Sequence, residues 1–590
     1  MDKNKDDATP PAAEVSEAPE TAGTVVAQAT TGVPKGNPFK RFAAVYWRKK
    51  FLSIPLTIIL LIAVVLAIPA SRYPLMGMFI KKDFSVQVLD AASKKPVSKA
   101  QVTLGSTVMQ TDAQGRAKFH VAVGKTSLEA VKKYYKTGSD KVVVDLKQKN
   151  APYKIYITAT GRQVPITVTN KITGKPVANA TIAAADTEAK TDKDGKAVIV
   201  LPADKVIVAV KISGAGMNDL SATLQVKEQA VPENTFQLVA AGKVYFLSKL
   251  SGKIDVVKTN LDGSDRQTVL AGTGKEENTD TILLASRDWK YLALKSKRDG
   301  GQNAKLFLIS TSDDKLTNMD EGDASFSLIG WSDHRFVYQV DRNNKKNWDP
   351  KVQALKSFDA ESAKLTMIDE TDGEGSNDYD YIYNRYNTTY IVGNELVFVK
   401  NWYSAYWRPN QLNGKSVNLV SVRADGSAKK NVKEFAIPDG QSYYFVQTSL
   451  YEPQGVYVRL PGIGQDAKPS FFEYEDGKVS AKNDVTDQDF NEPYPTYLAS
   501  PSGKQTLWAD ARDGKNVLFV GGADGQDGKQ VASLSEYSPY GWYSDDYLLV
   551  SKKSSELYIM PVGGGEPLKV TDYHKPDYDF RGYGGGYGGL

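Results

Sequence analysis

The chain has 590 residues, 74 Lys and Arg against 69 Asp and Glu, and no cysteine. This length exceeds what one hydrophobic core serves, so several domains are expected. Balanced, dispersed charge argues against a nucleic-acid-binding stripe, and the absence of cysteine excludes disulfides, thiol nucleophiles and Cys-ligated zinc or iron–sulfur sites.

Residues 1–34 carry Lys3 and Lys5 against six acids, interleaved with Ala, Thr and Pro. So few large apolar side chains cannot offset the entropy of folding, and 1–50 reads as a disordered tail. Residues 51–70, FLSIPLTIILLIAVVLAIPA, contain no charge. At about 1.5 Å per residue a helix of this length covers roughly 30 Å, the thickness of a bilayer core. Pro55 and Pro69 sit near its ends, where a missing backbone donor costs least. Lys35, Lys40, Arg41, Arg48, Lys49 and Lys50 precede it with no acid among 35–50, against Arg72, Lys81 and Lys82 beyond. Positive charge resists translocation, so the expectation is a single-pass signal-anchor in the cell membrane, N-terminus cytoplasmic and the rest extracytoplasmic. A signal peptide cut after Ala70 is the competing reading, but the charged leader is far longer than an ordinary n-region.

Two segments after the span match at a constant offset of 80 residues. Val86 and Val88 align with Ile166 and Val168, Lys95-Pro96-Val97 with Lys175-Pro176-Val177, and Ala100 with Ala180. Thr111-Asp112-x-x-Gly115 aligns with Thr191-Asp192-x-x-Gly195. Such a period means two copies of one small domain, over 83–160 and 163–240. Each copy opens on an alternating strand, FSVQVLD or PITVTN, and re-enters a second through Lys-Pro-Val. The Thr-Asp-x-x-Gly stretch predicts a turn in which Asp bonds backbone two residues on and Gly takes positive φ. Asp192 and Asp194 would suit calcium, but the first copy has Asp112 and Gln114 there, which favours the turn. Without helical periodicity, each copy is expected to be a small β-sandwich. The pattern resembles the carboxypeptidase regulatory-like family, close to the Cna-B-type modules of bacterial surface proteins. That resemblance implies stalks, spacers or transthyretin-like adhesion modules.

From 242 a longer repeat takes over: GKVYFLSK at 242, SRDWKYLALKS at 286, WSDHRFVYQV at 331, GNELVFVK at 393, EPQGVYVRL at 452, SPSGKQTLWAD at 500 and YSDDYLLVSK at 543. Four short strands in every 40–50 residues or so is the spacing of propeller blades, and stacking blades in a ring covers their faces and edges. Three copies, SRDWKYLAL, WSDHRFVYQ and SPSGKQTLWAD, resemble the strand motif of TolB-like and WD40-like propellers. The reading over 242–580 is a roughly seven-bladed β-propeller, with six or eight blades the alternatives. Blade 1 lacks an inner strand, for which Asp577 to Phe580 is the candidate, and 581–590 is a Gly/Tyr-rich tail. The expected fold class is therefore all-β: two tandem small β-sandwich domains, then the propeller, with one N-terminal transmembrane helix.

No catalytic constellation stands out. His120, His334 and His574 fall in separate elements with no metal-ligand spacing, so no metal or cofactor is expected. There is no G-x-S-x-G elbow, and Gly414-Lys415-Ser416 lacks the upstream glycine of a phosphate loop and reads as a turn. Residues 369–380, DETDGEGSNDYD, hold six acids in a Gly- and Asn-containing insertion read as a solvated loop rather than a catalytic pair.

The most informative feature is aromatic. YDYIYNRY at 379–386 and NWYSAYWRPN at 401–410 place Tyr381, Tyr383, Trp402, Tyr403, Tyr406 and Trp407 as candidates to line one face of the ring. Aromatic planes flanked by Asn and Arg suit sugar rings or extended peptides; the alternative is that they cap enlarged blades. The expected function is a cell-surface binding protein whose stalk presents a head to a protein or envelope glycan, with no nucleic-acid partner. A propeller enzyme acting on carbohydrate or peptide, and an envelope-assembly or sensing factor, are the other readings. If the orientation holds, protease added to intact expressing cells digests residues 83–580 and spares 1–50, as epitope tags at the two ends report; survival of the C-terminal domains would reverse it.

Overall fold

Along Lys81–Asp90 every second side chain is buried from Phe84 onward, the period-2 pattern of a strand with one face in a core. This strand pairs antiparallel with Arg116–Ala122 and parallel with Tyr153–Ala159. A second sheet runs in the order Thr107–Gln110, Gln101–Leu104, Gly124–Val131, Gly138–Val144. Val86, Val88, Phe119 and Ile155 of the first sheet and Val102, Leu104, Leu128 and Val142 of the second form one apolar cluster. Eighty residues on, Arg162–Asn170 lies between Lys196–Leu201 and Thr235–Leu238 with the same antiparallel and parallel senses. Its facing sheet is Thr187–Lys190, Thr181–Ala184, Ile207–Ser213, Leu220–Gln225. The computed structural model describes residues 43–571 except 44–45, 49, 69–76, 147–150, 228–230, 406–409, 453–454, 465, 492–497, 513–514, 534–536 and 553–555.

The repeat is kept at the level of single hydrogen bonds. Thr111 Oγ1 donates to Val97 O at 2.7 Å and accepts from Ala100 N at 2.8 Å; Thr191 Oγ1 makes the same pair with Val177 and Ala180 at 2.6 and 2.8 Å. Asp112 Oδ1 accepts from Gln114 N and Arg116 N, and Asp192 Oδ1 from Asp194 N and Lys196 N. Gly115 and Gly195 sit at φ +68° and +71°, and a Cβ on Gly115 would lie 2.6 Å from Val88 O. Asp192 Oδ1 is thus occupied by amides, and its Oδ2 faces Lys95 Nζ at 3.5 Å.

The all-β chain continues as seven sheets beginning at Val244, Ile282, Ala324, Gly373, Gln447, Leu498 and Tyr537, all antiparallel and all but the fourth paired in chain order. Several of their strands are apolar on both faces: Leu292, Ala293 and Leu294 in Tyr291–Ser296 are all buried. A four-stranded sheet cannot cover both faces alone, so each must lie between neighbours. Shared clusters show this for every adjacent pair except the fifth and sixth sheets. Tyr245 and Val256 of blade 1 pack with Leu292 and Phe307 of blade 2. Ala293 and Leu308 pack with Phe336 and Tyr338 of blade 3, and Val337 and Leu355 with Leu396 and Phe398 of blade 4. Val397 and Val417 join Val456 and Val458 of blade 5, and Leu507 and Leu518 of blade 6 join Leu548 and Val550 of blade 7. Leu549 and Ile559 then return to Val244 and Leu261 of blade 1. Sheets whose last member packs on the first form a ring, a β-propeller.

At that seam Trp289 Nε1 donates to Trp542 O at 3.3 Å, and the Trp289 and Tyr543 rings lie 5.4 Å apart. Blade 1 has three strands among the described residues; the strand expected at 577–580, the tail 581–590 and His574 lie outside them, as does nearly all of 1–50. Ile172 and Ala240 of the second sheet pair join the seam cluster, Asn170 Nδ2 donates to Tyr547 Oη at 2.9 Å, and Lys171 pairs with Asp262 at 2.5 Å.

Lys50–Ala67 is helical, and Leu56, Ile58, Ile59, Leu60, Leu61, Ile62 and Val64 on it are exposed. Among the described residues no helix is long and apolar enough to cross a membrane. The expected span of 51–70 differs from the helix at its end: 18 residues reach about 27 Å, short of a roughly 30 Å core, and 69–76 are not among the described residues.

Neighbouring blades are also locked by largely buried charge. Asp320, in the last strand of blade 2, accepts from Tyr338 Oη at 2.8 Å and pairs with Lys356 at 2.7 Å, both in blade 3. Asp369 does the same from blade 3 to Tyr386 at 2.7 Å and Lys400 at 2.9 Å of blade 4. Removing one partner leaves a buried charge uncompensated, at a cost of about 3 kcal/mol or more. Asp320→Asn should therefore lower the thermal unfolding midpoint by several degrees, measured by calorimetry, while Asp439→Asn at an exposed position leaves it unchanged.

Candidate functional site

The insertion after residue 370 is not a solvated loop. Gly373–Asn377 and Asp380–Tyr386 form a hairpin that adds to blade 4 and makes its sheet seven-stranded. Its turn is set by Asn377 Oδ1 accepting from Tyr379 N at 2.9 Å and by Ser376 Oγ donating to Asp380 at 3.1 Å. The ten-residue strand Glu395–Ser404 anchors it: its first half pairs with Tyr390–Val392 and Ser416–Arg423, its second with the hairpin and Tyr443–Tyr444. The acids read as loop residues therefore lie largely on strands. Asp369 is buried between Lys400 and Lys429, at 2.9 and 2.5 Å, and Glu370 is paired with Arg342 and Lys351 at 3.1 and 3.2 Å.

Register decides which aromatics meet. Gly373, Tyr383, Tyr403 and Tyr443 lie on one line across four strands, with Gly375 opposite Tyr381. Alternation puts Tyr381, Tyr383 and Arg385 on one sheet face and Ile382 and Asn384 on the other. Trp348, from the loop after Arg335–Arg342, lies over the two glycines. Its ring is 5.3 Å from that of Tyr381 with planes 9° apart. Tyr381 and Tyr383 are 5.6 Å apart, and Tyr383 and Tyr403 5.3 Å with planes 20° apart. At such separations near-parallel rings are offset, so each covers only part of its neighbour. All four are half-buried, and Tyr443 at the end is 64% exposed.

The row exists because glycine lacks a side chain. A Cβ on Gly375 would stand 2.6 Å from Trp348 Cγ and 2.8 Å from Tyr381 Cβ, and one on Gly373 2.5 Å from Trp348 O. The Arg385 guanidinium sits 4.6 Å from the Tyr383 ring centre. It donates to Asn347 O at 2.6 Å, Asn347 Oδ1 at 3.2 Å and Asn384 O at 3.1 Å. Burial raises the Tyr383 and Tyr403 phenol pKa values and lowers that of Arg385. Among the described residues no hydrogen bond reaches the phenol oxygens of Tyr381, Tyr383 and Tyr403.

Of the six aromatics singled out from sequence, Tyr381, Tyr383 and Tyr403 come together. Trp402 does not: next to Tyr403 on the strand, it points through the opposite face, donates Nε1 to Ser416 O at 3.1 Å, carries Lys415 over its ring at 4.7 Å and packs on the core of blades 4 and 5. Tyr406 and Trp407 lie outside the described residues. Trp348 and Tyr443 escaped the sequence reading; the signal for Trp348 was the Gly-x-Gly facing Tyr-x-Tyr across a short turn. His120 is exposed beside Asp83 at 2.8 Å, His334 faces Asp359 at 3.3 Å, and no group able to hold a metal occurs among the described residues. Gly414, at φ +75°, lies in a turn.

No protein-family model matches the sequence, and no curated protein does. Among solved structures, oligogalacturonate lyase from Vibrio parahaemolyticus is 13% identical over 58% of this chain and 88% of its own, with TM-score 0.30. TolB from Acinetobacter baumannii is 12% identical over 54% and 74%, TM-score 0.23. The β-propeller domain of the Trilobed protease from Pyrococcus furiosus is 12% identical over 63% and 95%, TM-score 0.29. At such values the likenesses carry no argument of their own, and the ring rests on its sheet order and shared cores.

Filling the space above Gly375 should displace Trp348. Gly375→Ala is expected to cost about 1–3 kcal/mol and to expose Trp348, seen as increased acrylamide quenching that vanishes when Trp348→Phe is added. Unchanged quenching would mean that the ring does not lie there.

Proposed function

We propose that this is a membrane-anchored binding protein in which two sheet pairs act as a stalk for a propeller head, and that the blade-4 aromatic row recognises a glycan outside the membrane. The observation that carries the reading is the row itself: Trp348, Tyr381, Tyr383 and Tyr403, half-buried and in contact on one sheet face, with three phenol hydroxyls left for a ligand. Partly uncovered rings offer the C–H faces of a sugar a stacking surface, and hydroxyls beside them supply directed bonds. A flat row suits this better than side-chain insertion into pockets, the means by which peptides are usually told apart.

Anchoring is supported by the uncharged run 51–70, by its basic leading flank, and by the exposed apolar side chains of Lys50–Ala67. The close seating of the second sheet pair on the ring seam favours a stalk that holds the head in one attitude. Against the enzyme reading, Asp320, Asp369 and Glu370 are tied to cations, which keeps them from acting as a free acid–base pair.

The test is a glycan array probed with the full chain in detergent, beside Trp348→Ala and Tyr383→Ala variants. Each is expected to bind at least about fivefold more weakly, since removing one aromatic ring from a stacking site costs about 1 kcal/mol or more, with the thermal midpoint of the ring retained. Equal binding by all three would remove the row from consideration.

A further inference from the structure

Arg385 differs from three other arginines of the propeller. Arg335, Arg342 and Arg459 each meet a carboxylate, Asp359, Glu370 and Asp487, within 3.1 Å. Arg385 is half-buried on the aromatic face and, among the described residues, meets none. A guanidinium carries five N–H donors in a planar fork. Here three bonds go to neutral amide oxygens of Asn347 and Asn384, and the Tyr383 ring holds the fork in one plane.

Three acids in the surrounding elements are engaged by other groups. Asp341 accepts from Gln339 at 3.0 Å and from Gln353. Asp349 accepts from Lys346 N at 2.8 Å, and Asp380 from Ser376 and Gln411 at 3.1 and 3.3 Å. A second cation without a carboxylate among the described residues lies over the first ring: Lys346 Nζ is 5.2 Å from the centre of the Trp348 ring. Two rings of the row thus carry a cation, one of them a fixed fork beside unbonded hydroxyls.

We propose that the glycan bound here is acidic, its carboxylate received by the Arg385 fork and its sugar ring laid along Tyr381, Tyr383 and Tyr403. The assignment rests on the glycan-binding reading above. Asn347 takes the Nη2 donors, so a carboxylate would accept a single charge-assisted bond from Nε–H or the remaining Nη1–H, about twice as strong as the bond a neutral hydroxyl would accept there. It would also neutralise a cation that is partly withdrawn from water.

The experiment uses full-length protein in detergent and a panel of uronate- and sialate-bearing oligosaccharides, each beside its carboxyl-reduced form, with affinities measured at low and high salt. The wild type should prefer an acidic member over its reduced form by tenfold or more, and the preference should shrink as salt rises. Arg385→Gln should abolish the preference while keeping the weaker affinity for the reduced form, and Arg385→Lys should keep only part of it. Equal binding of acidic and reduced forms by the wild type overturns the proposal while leaving the glycan reading intact, as does a preference that survives in Arg385→Gln. Wild-type binding to acidic peptides but to no oligosaccharide overturns both.

Discussion

Seven small sheets, several of them apolar on both faces, have no stable existence apart from one another. Each side chain such as Val337 or Leu549 leaves water only when the next blade arrives, and burial of this kind contributes roughly 25 cal/mol per Å². A linear stack would leave its first and last blades uncovered. Closure of blade 7 onto blade 1 is therefore the step that makes all the others favourable. It explains why the seam carries aromatic contact and a tryptophan hydrogen bond in addition to aliphatic packing.

The stalk is attached at the same place. Asn170 occupies in the second repeat the position of Asp90 in the first, and both reach into the unit that follows. Asp90 accepts from Gln163 at 3.2 Å, and Asn170 donates to Tyr547 at 2.9 Å. One turn geometry, an Asx side chain bonding the amides two and three residues on, thus serves both joints. The joints differ in kind. The seam with the ring adds a buried apolar cluster, whereas the first and second repeats are linked by exposed pairs such as Lys133–Asp186 and Lys95–Asp192. Exposed pairs contribute little and weaken with salt, so the outer seam is the firmer of the two.

The aromatic row depends on this rigidity. Its strand, Glu395–Ser404, is held in its first half as a blade strand by buried neighbours and only in its second half carries the hairpin. A binding face mounted on the overhang of a packed strand keeps its rings in register without a core of its own. Trp348, arriving from blade 3, ties the overhang to the next sheet.

Local chemistry was legible in the residues themselves: the Thr-Asp-x-x-Gly turn, the 80-residue period and the seven strand motifs each follow from short-range hydrogen bonding and alternation. Three of the aromatic candidates were legible for the same reason, since Tyr-x-Tyr names a strand face. What lay beyond reach depended on register between distant segments. That the 369–380 acids join strands and meet Lys400 and Lys429, that Trp402 turns inward while Tyr403 turns outward, and that Trp348 fills the place two glycines leave open were decided by pairing across the sheet. Period-2 alternation makes a one-residue difference in register exchange the two faces. The sequence by itself determined which residues could lie on a face; only the tertiary structure decided which face, and beside whom.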